Sequence, residues 1–413
     1  ALARLRQLSA HEVGHTLGLA HNFAASTNGN ASVMDYPHPY IALDAHGGVD
    51  LSKAYGTGIG EWDKTAIAYG YQDFPPGTNE ANALDDILDR AYSKGLRYLS
   101  DPDARPAGSA SPDAHLWDNG TDAAAELVRL TRVRQAVLAR FSEKVLRPGE
   151  PLSAMGETLT PIYLLHRYQA EATAKVVGGL EYGYPVRGGA SGELVSPSRL
   201  IPKVRQQAAL TALIATLSPE FLRIPERILD TIPPHPPGFE RTAESFPSHT
   251  GRTFDPLAAA EVAADQTAAL LLNPERAARL LQYAARDGGQ MRLEEVLDQL
   301  LDATIRAARR EGMEGALQRT ANGVVLYRLM ALAQSPESTD ETKAMVSLKL
   351  SEVKEYLEKS GGADVPWKAH AAWLASRIGR FEANPKEIPM PKPETAPPGQ
   401  PIGCGSADGF GIR

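Results

Sequence analysis

The sequence predicts a mainly α-helical protein in which an irregular segment separates one N-terminal helix from a long helical region. Two observations support this fold class. Apolar residues recur at steps of three and four over most of the chain beyond residue 77, as expected for helices with one buried face. Stretches rich in Pro and Gly, at 102–113, 185–202 and 233–256, interrupt these repeats and predict the connections between helices.

The first predicted helix covers residues 1 to about 20. It lacks Pro, carries Leu2, Leu5 and Leu8 at helical spacing, and is predicted to end at Gly18, a residue suited to a C-cap. Residues 22–60 are rich in Asn, Gly, Pro, Ser and Asp and predict loops. A short helix is predicted from Glu61 to Tyr69.

The later helices are predicted from their apolar faces. The clearest of these faces are Leu127, Leu130, Val133, Val137, Phe141 and Val145; Leu280 and Leu281; 293–305; and Val346, Leu350, Val353 and Leu357. Pro75-Pro76-Gly77 marks a predicted boundary. We therefore expect a first domain over 1–76, a helical domain over 77–383 and a disordered Pro/Gly-rich tail over 384–413.

Composition excludes several classes of protein. The 413 residues carry a net charge of −7 without a Lys/Arg-rich run, so we expect no nucleic-acid partner. Apolar stretches are too short for a transmembrane segment. Cys404 is the only cysteine, which excludes an intrachain disulfide and a cysteine-based metal site. The chain begins without Met and inside a predicted helix, so we expect it to be a fragment of a longer protein.

The sequence His-Glu-Val-Gly-His-Thr-Leu-Gly-Leu-Ala-His occupies residues 11–21 and predicts a zinc site. Residues four apart lie on the same helix face, so His11 and His15 can direct ring nitrogens toward one point. A hydrolytic zinc site has three protein ligands and an open fourth position for water. His21 can supply the third ligand if the chain turns sharply at Gly18, where glycine tolerates left-handed backbone.

Glu12 is predicted to be the general base of this site. Its side chain is too short to bind the same ion from its position beside His11, but it can face a water molecule in the open position. It would take the proton of that water and transfer it to the leaving amine. Hydrolysis of a peptide bond is the predicted reaction.

Other residues were weighed as ligands. Glu61 could supply the third ligand in place of His21, but His21 already stands at a suitable offset. His38 and His46, with Asp44 and Asp50, could form a second metal site, although a plain turn is favoured there. We predict that His166 is a histidine of the core.

The extended histidine motif, followed by Ser32-Val33-Met34-Asp35-Tyr36, resembles the metzincin metalloproteases, and the fold implied is the C-terminal half of a metzincin catalytic domain followed by an all-α region. The resemblance implies that Met34 forms the Met-turn beneath the metal. It also implies that Tyr36 binds zinc or stabilises the transition state, while a buried core tyrosine is the alternative.

The rest of the chain resembles the bacterial Met-zincin family of secreted or envelope-associated zinc metalloproteases. The stretches that carry this resemblance are 60–64, 68–71, 101–106, 116–120 and 273–276. An extracytoplasmic location follows from the resemblance. Metzincin domains also have an upper subdomain that precedes the active-site helix, and we expect the fragment to be inactive without it.

The predicted function is therefore that of a zinc-dependent metalloendopeptidase acting on protein or peptide substrates. The alternative is a binding or scaffold module, in which the helical region recognises a partner and the zinc site is structural or vestigial. A structural zinc site normally has a fourth protein ligand, so the number of ligands distinguishes the two.

Overall fold

Helices make up most of the structure, a computed structural model that describes residues 2–187, 198–360 and 364–397. Helix accounts for 55% and strand for 3%, which confirms the mainly α fold class. The α-helices are α1 (Leu2–Thr16), α2 (Glu61–Tyr71), α3 (Glu80–Ser93), α4 (Asp101–Ala104), α5 (Ala123–Arg140), α6 (Met155–Tyr163), α7 (Arg167–Ala174), α8 (Lys203–Ala215), α9 (Pro219–Leu222), α10 (Glu226–Leu229), α11 (Pro256–Leu271), α12 (Pro274–Arg286), α13 (Leu293–Ala303), α14 (Gly312–Gln334), α15 (Asp340–Lys359) and α16 (Val365–Ala383).

Helix α1 is followed by the turn that was predicted at Gly18. The helix ends at Thr16, and Gly18 has a φ of +78°, in the left-handed region that glycine adopts without steric cost. The N–H of Gly18 donates to the carbonyl of His15 at 2.9 Å. The chain therefore reverses immediately after the second histidine of the motif.

The interior of the helical region is one large apolar core built mainly by α5 to α16. Helix α14 packs against α11 on one side and α15 on the other, and α16 packs against α15. A smaller core lies beneath the histidine motif. It contains Phe23, Ala24, Tyr36, Leu99, Ala104, Ala114 and Leu116. Residues from before and after the predicted boundary thus share one core.

Two details of the helix prediction are wrong. The apolar face that begins at Leu127 was expected to continue to Val145, but α5 ends at Arg140 because Phe141 adopts an extended backbone, with ψ of 130°. Phe141 is still buried, whereas Val145 is 43% exposed. The stretch 102–113 was expected to be irregular, yet it contains most of α4, where Pro102 occupies an N-terminal position that favours helix.

Strands form two small antiparallel hairpins. In the first, β1 (Ala42–Leu43) pairs with β2 (Val49–Asp50), and the Asp44 carboxylate accepts the N–H groups of His46 and Gly48. This is the turn favoured over a second metal site. In the other, β3 (Leu180–Tyr182) pairs with β4 (Ser198–Leu200).

The division into domains stays a prediction, although α2 packs against α3 across the proposed boundary. In the tail, Ile388, Met390 and Ala396 pack on the main core. Cys404 and the rest of 398–413, for which disorder was predicted, lie outside the described residues. No helix within the described ranges is both long and apolar enough to cross a bilayer.

Candidate metal centre

Three imidazoles converge at the C-terminal end of α1. His11 and His15 lie one turn apart on the helix, and the turn at Gly18 returns His21 to the same place. The potential ligand atoms of His11, His15 and His21 all lie within 4.8 Å of one another. The ring centroids of His11 and His15 are 4.6 Å apart, and those of His15 and His21 are 4.8 Å apart.

The three rings use the same nitrogen, Nδ1, to contact an acceptor of the surrounding chain. The Nδ1 atom of His11 lies 2.7 Å from the Val33 carbonyl oxygen, that of His15 lies 3.0 Å from the Leu19 carbonyl oxygen, and that of His21 lies 2.8 Å from an Asp101 carboxylate oxygen. Carbonyl and carboxylate oxygens can only accept, so each Nδ1 carries the hydrogen. Each Nε2 therefore keeps its lone pair, which is what a metal ligand requires.

Burial favours the neutral form of the first of these rings. His11 is 2% exposed, and this desolvation lowers its pKa, while the bond to the Val33 carbonyl opposes the shift. The neighbouring rings of His15 and His21 lower the pKa further. The Nε2 atom of His11 is buried and has no hydrogen-bond partner in the described structure. A buried nitrogen with an unused lone pair fits a divalent metal ion such as Zn²⁺.

Met34 packs against α1 beneath the histidines. It is 1% exposed, and a β-carbon built on Gly14 would lie 2.3 Å from its Sδ atom. Only a residue without a side chain fits at position 14 while Met34 is in this place. Met34 is therefore an apolar neighbour of α1, and its role as the Met-turn beneath a metal stays a prediction.

Asp63, at the start of α2, holds the backbone that carries Met34. One oxygen of its buried carboxylate accepts the N–H of Val33 at 2.8 Å, and the other accepts the hydroxyl of Ser32 at 2.6 Å. The Ser32 hydroxyl in turn accepts the N–H of Met34 at 2.9 Å. Val33 supplies the carbonyl that binds His11, so Asp63 acts on the site through this turn.

Tyr36 and Glu12 are the two residues for which a catalytic role was predicted. Tyr36 is 2% exposed, and its hydroxyl lies 3.0 Å from the Nε2 atom of His21. Its ring stacks on that of His11 at 4.5 Å. The hydroxyl is therefore next to a potential ligand atom. Glu12 lies on α1 between the first two ligands, and its side chain is exposed.

The segment from Arg97 to Asn119 completes the surroundings of the site, a role that was not predicted from the sequence. Asp101 binds His21, and the Asn22 amide donates to the Arg97 carbonyl at 2.8 Å. The N–H of Trp117 donates to the Tyr36 carbonyl at 2.8 Å, and the Asn119 amide donates to that of His38. Each of these contacts spans more than 70 residues. The only prior signal was the family resemblance of 101–106 and 116–120, to which no role was attached.

The remaining candidates do not join the cluster. Within the described ranges, His11, His15 and His21 form the only group of three or more potential ligands. Glu61 pairs with Lys64 instead, and His46 is exposed in the first hairpin. His166 is fully buried against Phe221, as predicted for a core histidine, and burial lowers its pKa well below the ordinary value.

Comparison with known families gives one match. The family model described as Met-zincin matches residues 1–312, which include the whole cluster and the helices up to α13. No curated protein and no solved structure is significantly similar to the chain.

Proposed function

Since the chain belongs to the Met-zincin family, we propose that it is a zinc-dependent metalloendopeptidase with His11, His15 and His21 as its ligands. The observation that carries this proposal is the common state of the three rings. All three Nδ1 atoms lie against acceptors, so in the neutral rings the three Nε2 atoms keep their lone pairs at one place, where that of His21 also meets the Tyr36 hydroxyl.

Bound zinc would polarise the scissile carbonyl and activate the water that attacks it. Two residues of the chain would transfer the proton and stabilise the negative charge. Glu12, beside His11, would take the proton of the attacking water and deliver it to the amine that leaves when the peptide bond breaks. The Tyr36 hydroxyl, beside His21, would donate a hydrogen bond to the developing negative charge on the substrate oxygen.

The number of ligands favours hydrolysis over the scaffold alternative. Structural zinc sites are closed by four protein ligands, whereas the cluster has three members among the residues that the structure describes. A three-histidine site leaves a position for water. The helical region would then have a structural role in the site, whether or not it also binds a partner. Asp101 contacts His21, and Trp117 contacts Tyr36.

Zinc stoichiometry tests the ligand set. We expect the purified protein to bind one zinc ion per chain, and His11→Ala, His15→Ala and His21→Ala each to lose it. His46→Ala is the matched control because this histidine is exposed and outside the cluster. Stoichiometric zinc in all three cluster variants would refute the proposed site.

Cleavage of labelled casein by the full-length protein tests the reaction. Glu12→Gln should keep the zinc and lose proteolysis, because the amide cannot accept the proton. Glu61→Gln, an exposed carboxylate on α2, should cleave at the rate of the unmodified protein. Undiminished cleavage by Glu12→Gln would exclude the role of general base. We also propose that the protein acts outside the cytoplasm, which fractionation of the producing cell would test.

A further inference from the structure

We propose that Asp101 is the positioning residue of the third ligand: its carboxylate fixes both the orientation and the hydrogen placement of the His21 ring. This inference rests on the proposed function, since it concerns the binding of zinc. It assigns a role in the metal centre to a residue of the region beyond the predicted boundary at residue 77.

His21 differs from the other two ligands in what holds it. The Nδ1 atoms of His11 and His15 are bound by backbone carbonyls of Val33 and Leu19. These acceptors remain whatever side chains stand at those positions. His21 instead depends on a side chain 80 residues away in sequence, at 2.8 Å. It also lies outside α1, so no helix fixes its backbone.

The Asp101 carboxylate is itself fixed from two sides. Its Oδ2 atom accepts from His21 and from the Ser100 hydroxyl at 3.3 Å, and its Oδ1 atom accepts from Nε of Arg105. The helix that carries Asp101 is anchored at its other end, where the buried Lys175 ammonium donates to the Ala104 carbonyl. The acceptor offered to His21 is therefore held in one orientation.

This arrangement makes a specific prediction for Asp101→Asn. Arg105 can only donate, so the amide oxygen of the new side chain would face Arg105 and the amide NH₂ would face His21. A donor at Nδ1 forces the hydrogen onto Nε2, where it blocks the lone pair that zinc needs. In Asp101→Ala, by contrast, water can replace the carboxylate, which is 35% exposed.

The order of zinc affinities therefore tests the inference. The zinc dissociation constant would be measured by competition with a chelator for the full chain and its variants. We expect Asp101→Asn to weaken zinc binding by about 10- to 100-fold, the usual effect of removing such a partner. Asp101→Ala should weaken it less, and Arg105→Ala added to Asp101→Asn should restore part of the affinity, because the amide can then turn its oxygen to His21.

Asp103→Asn is the matched control. Asp103 lies on the same short helix and is more buried than Asp101, and its carboxylate accepts from the Tyr182 and Tyr184 hydroxyls instead of a histidine. The Asp103→Asn variant should bind zinc with the same dissociation constant as the unmodified protein. In the metal-free protein, nitrogen NMR shifts of His21 should show hydrogen on Nδ1, and Asp101→Asn should move it to Nε2.

The outcomes separate this inference from the proposed function. If the unmodified protein binds no zinc, both fail. If it binds zinc and His21→Ala does not, but both Asp101 variants match the unmodified protein in affinity and His21 tautomer, only the role of Asp101 is wrong. Equal weakening by Asp103→Asn would also overturn it, since the effect would then belong to the helix and not to the contact with His21.

Discussion

The sulfur of Met34 occupies the space that a side chain at position 14 would need. A β-carbon on Gly14 would lie 2.3 Å from Sδ and 3.3 Å from Cε of Met34, far inside van der Waals contact. Both residues are buried, so neither can move into solvent. Helix α1 and the turn that carries Met34 are therefore in contact through this glycine.

Gly14→Ala should consequently destabilise the protein although alanine favours helix. Overpacking of a filled core typically costs about 1–3 kcal/mol, which exceeds the gain of about 1 kcal/mol from helix propensity. Urea unfolding of the metal-free protein would measure the change. In a Met34→Ala background the same substitution should cost less, because the space is then free. An equal loss of unfolding free energy from Gly14→Ala in the unmodified protein and in the Met34→Ala variant would contradict the contact between the two residues.

Asp63→Ala should lower the free energy of unfolding by about 3 kcal/mol or more. It removes the acceptor of three donors, Ser32 Oγ and the N–H groups of Val33 and Gly60, and bonds to a charged acceptor contribute about 1.5–3 kcal/mol each. Asp63→Asn should cost less, since one oxygen remains. Denaturant unfolding would compare them. Unchanged stability of Asp63→Ala would show that these hydrogen bonds do not hold the turn that carries Met34.

Tyr36→Phe distinguishes a catalytic tyrosine from a core tyrosine. The ring and its contacts with His11 remain, so zinc stoichiometry should not change. If the hydroxyl beside His21 stabilises the transition state, kcat on a peptide substrate should fall on the order of 10²-fold. Wild-type kcat in this variant would assign Tyr36 to packing alone.

Two buried carboxyl groups should contribute a loss of stability as pH rises from about 4 to 7, opposite in sign to the contribution of buried histidines such as His166, whose pKa is lowered. Burial raises the pKa of Asp118 to about 7, and burial together with the charge of Asp118 raises that of Asp35 well above its ordinary value. Between the unfolded value near 4 and the folded value, the folded chain binds more protons than the unfolded chain. Each such group lowers the free energy of unfolding by up to about 1.4 kcal/mol per pH unit in that window.

Asp118→Asn should therefore make the slope of the free energy of unfolding against pH less negative between about pH 4 and 7. The variant removes one titrating group and relieves the repulsion on Asp35. Urea unfolding of the metal-free protein at several pH values would measure the slope, with Asp86→Asn as a control on an exposed carboxylate of α3. If the free energy of unfolding of Asp118→Asn changed with pH as steeply as that of the unmodified protein, the raised pKa of Asp118 would be contradicted.

The convergence of the three histidines was predicted correctly because it depends on residues that are close together in the sequence. The four-residue step from His11 to His15 is a property of any helix, and the reversal at Gly18 follows from the freedom of glycine. The convergence of the three histidines could therefore be predicted from the sequence alone. The helix α15 over Val346 to Leu357 was found for the same reason, since its buried face repeats within a few turns.

The parts that could not be predicted depend on distant contacts. Nothing near Asp101 in the sequence indicates that its carboxylate faces His21, and nothing near Asp63 indicates that it binds Ser32 and Val33. Tertiary packing decides which acidic side chains meet which donors. It also decided where α5 ends, because Phe141 reaches the core without remaining helical.

The distance along the chain between His21 and Asp101 also has a consequence for biosynthesis. A ribosome makes the three histidines before Asp101, and the carboxylate proposed to orient the last of them emerges only after 80 further residues have been added. A nascent polypeptide arrested before Asp101 would hold the ligands without that support. Maturation of the centre is thus tied to translation of the helical region, so that a truncated product would compete poorly for metal.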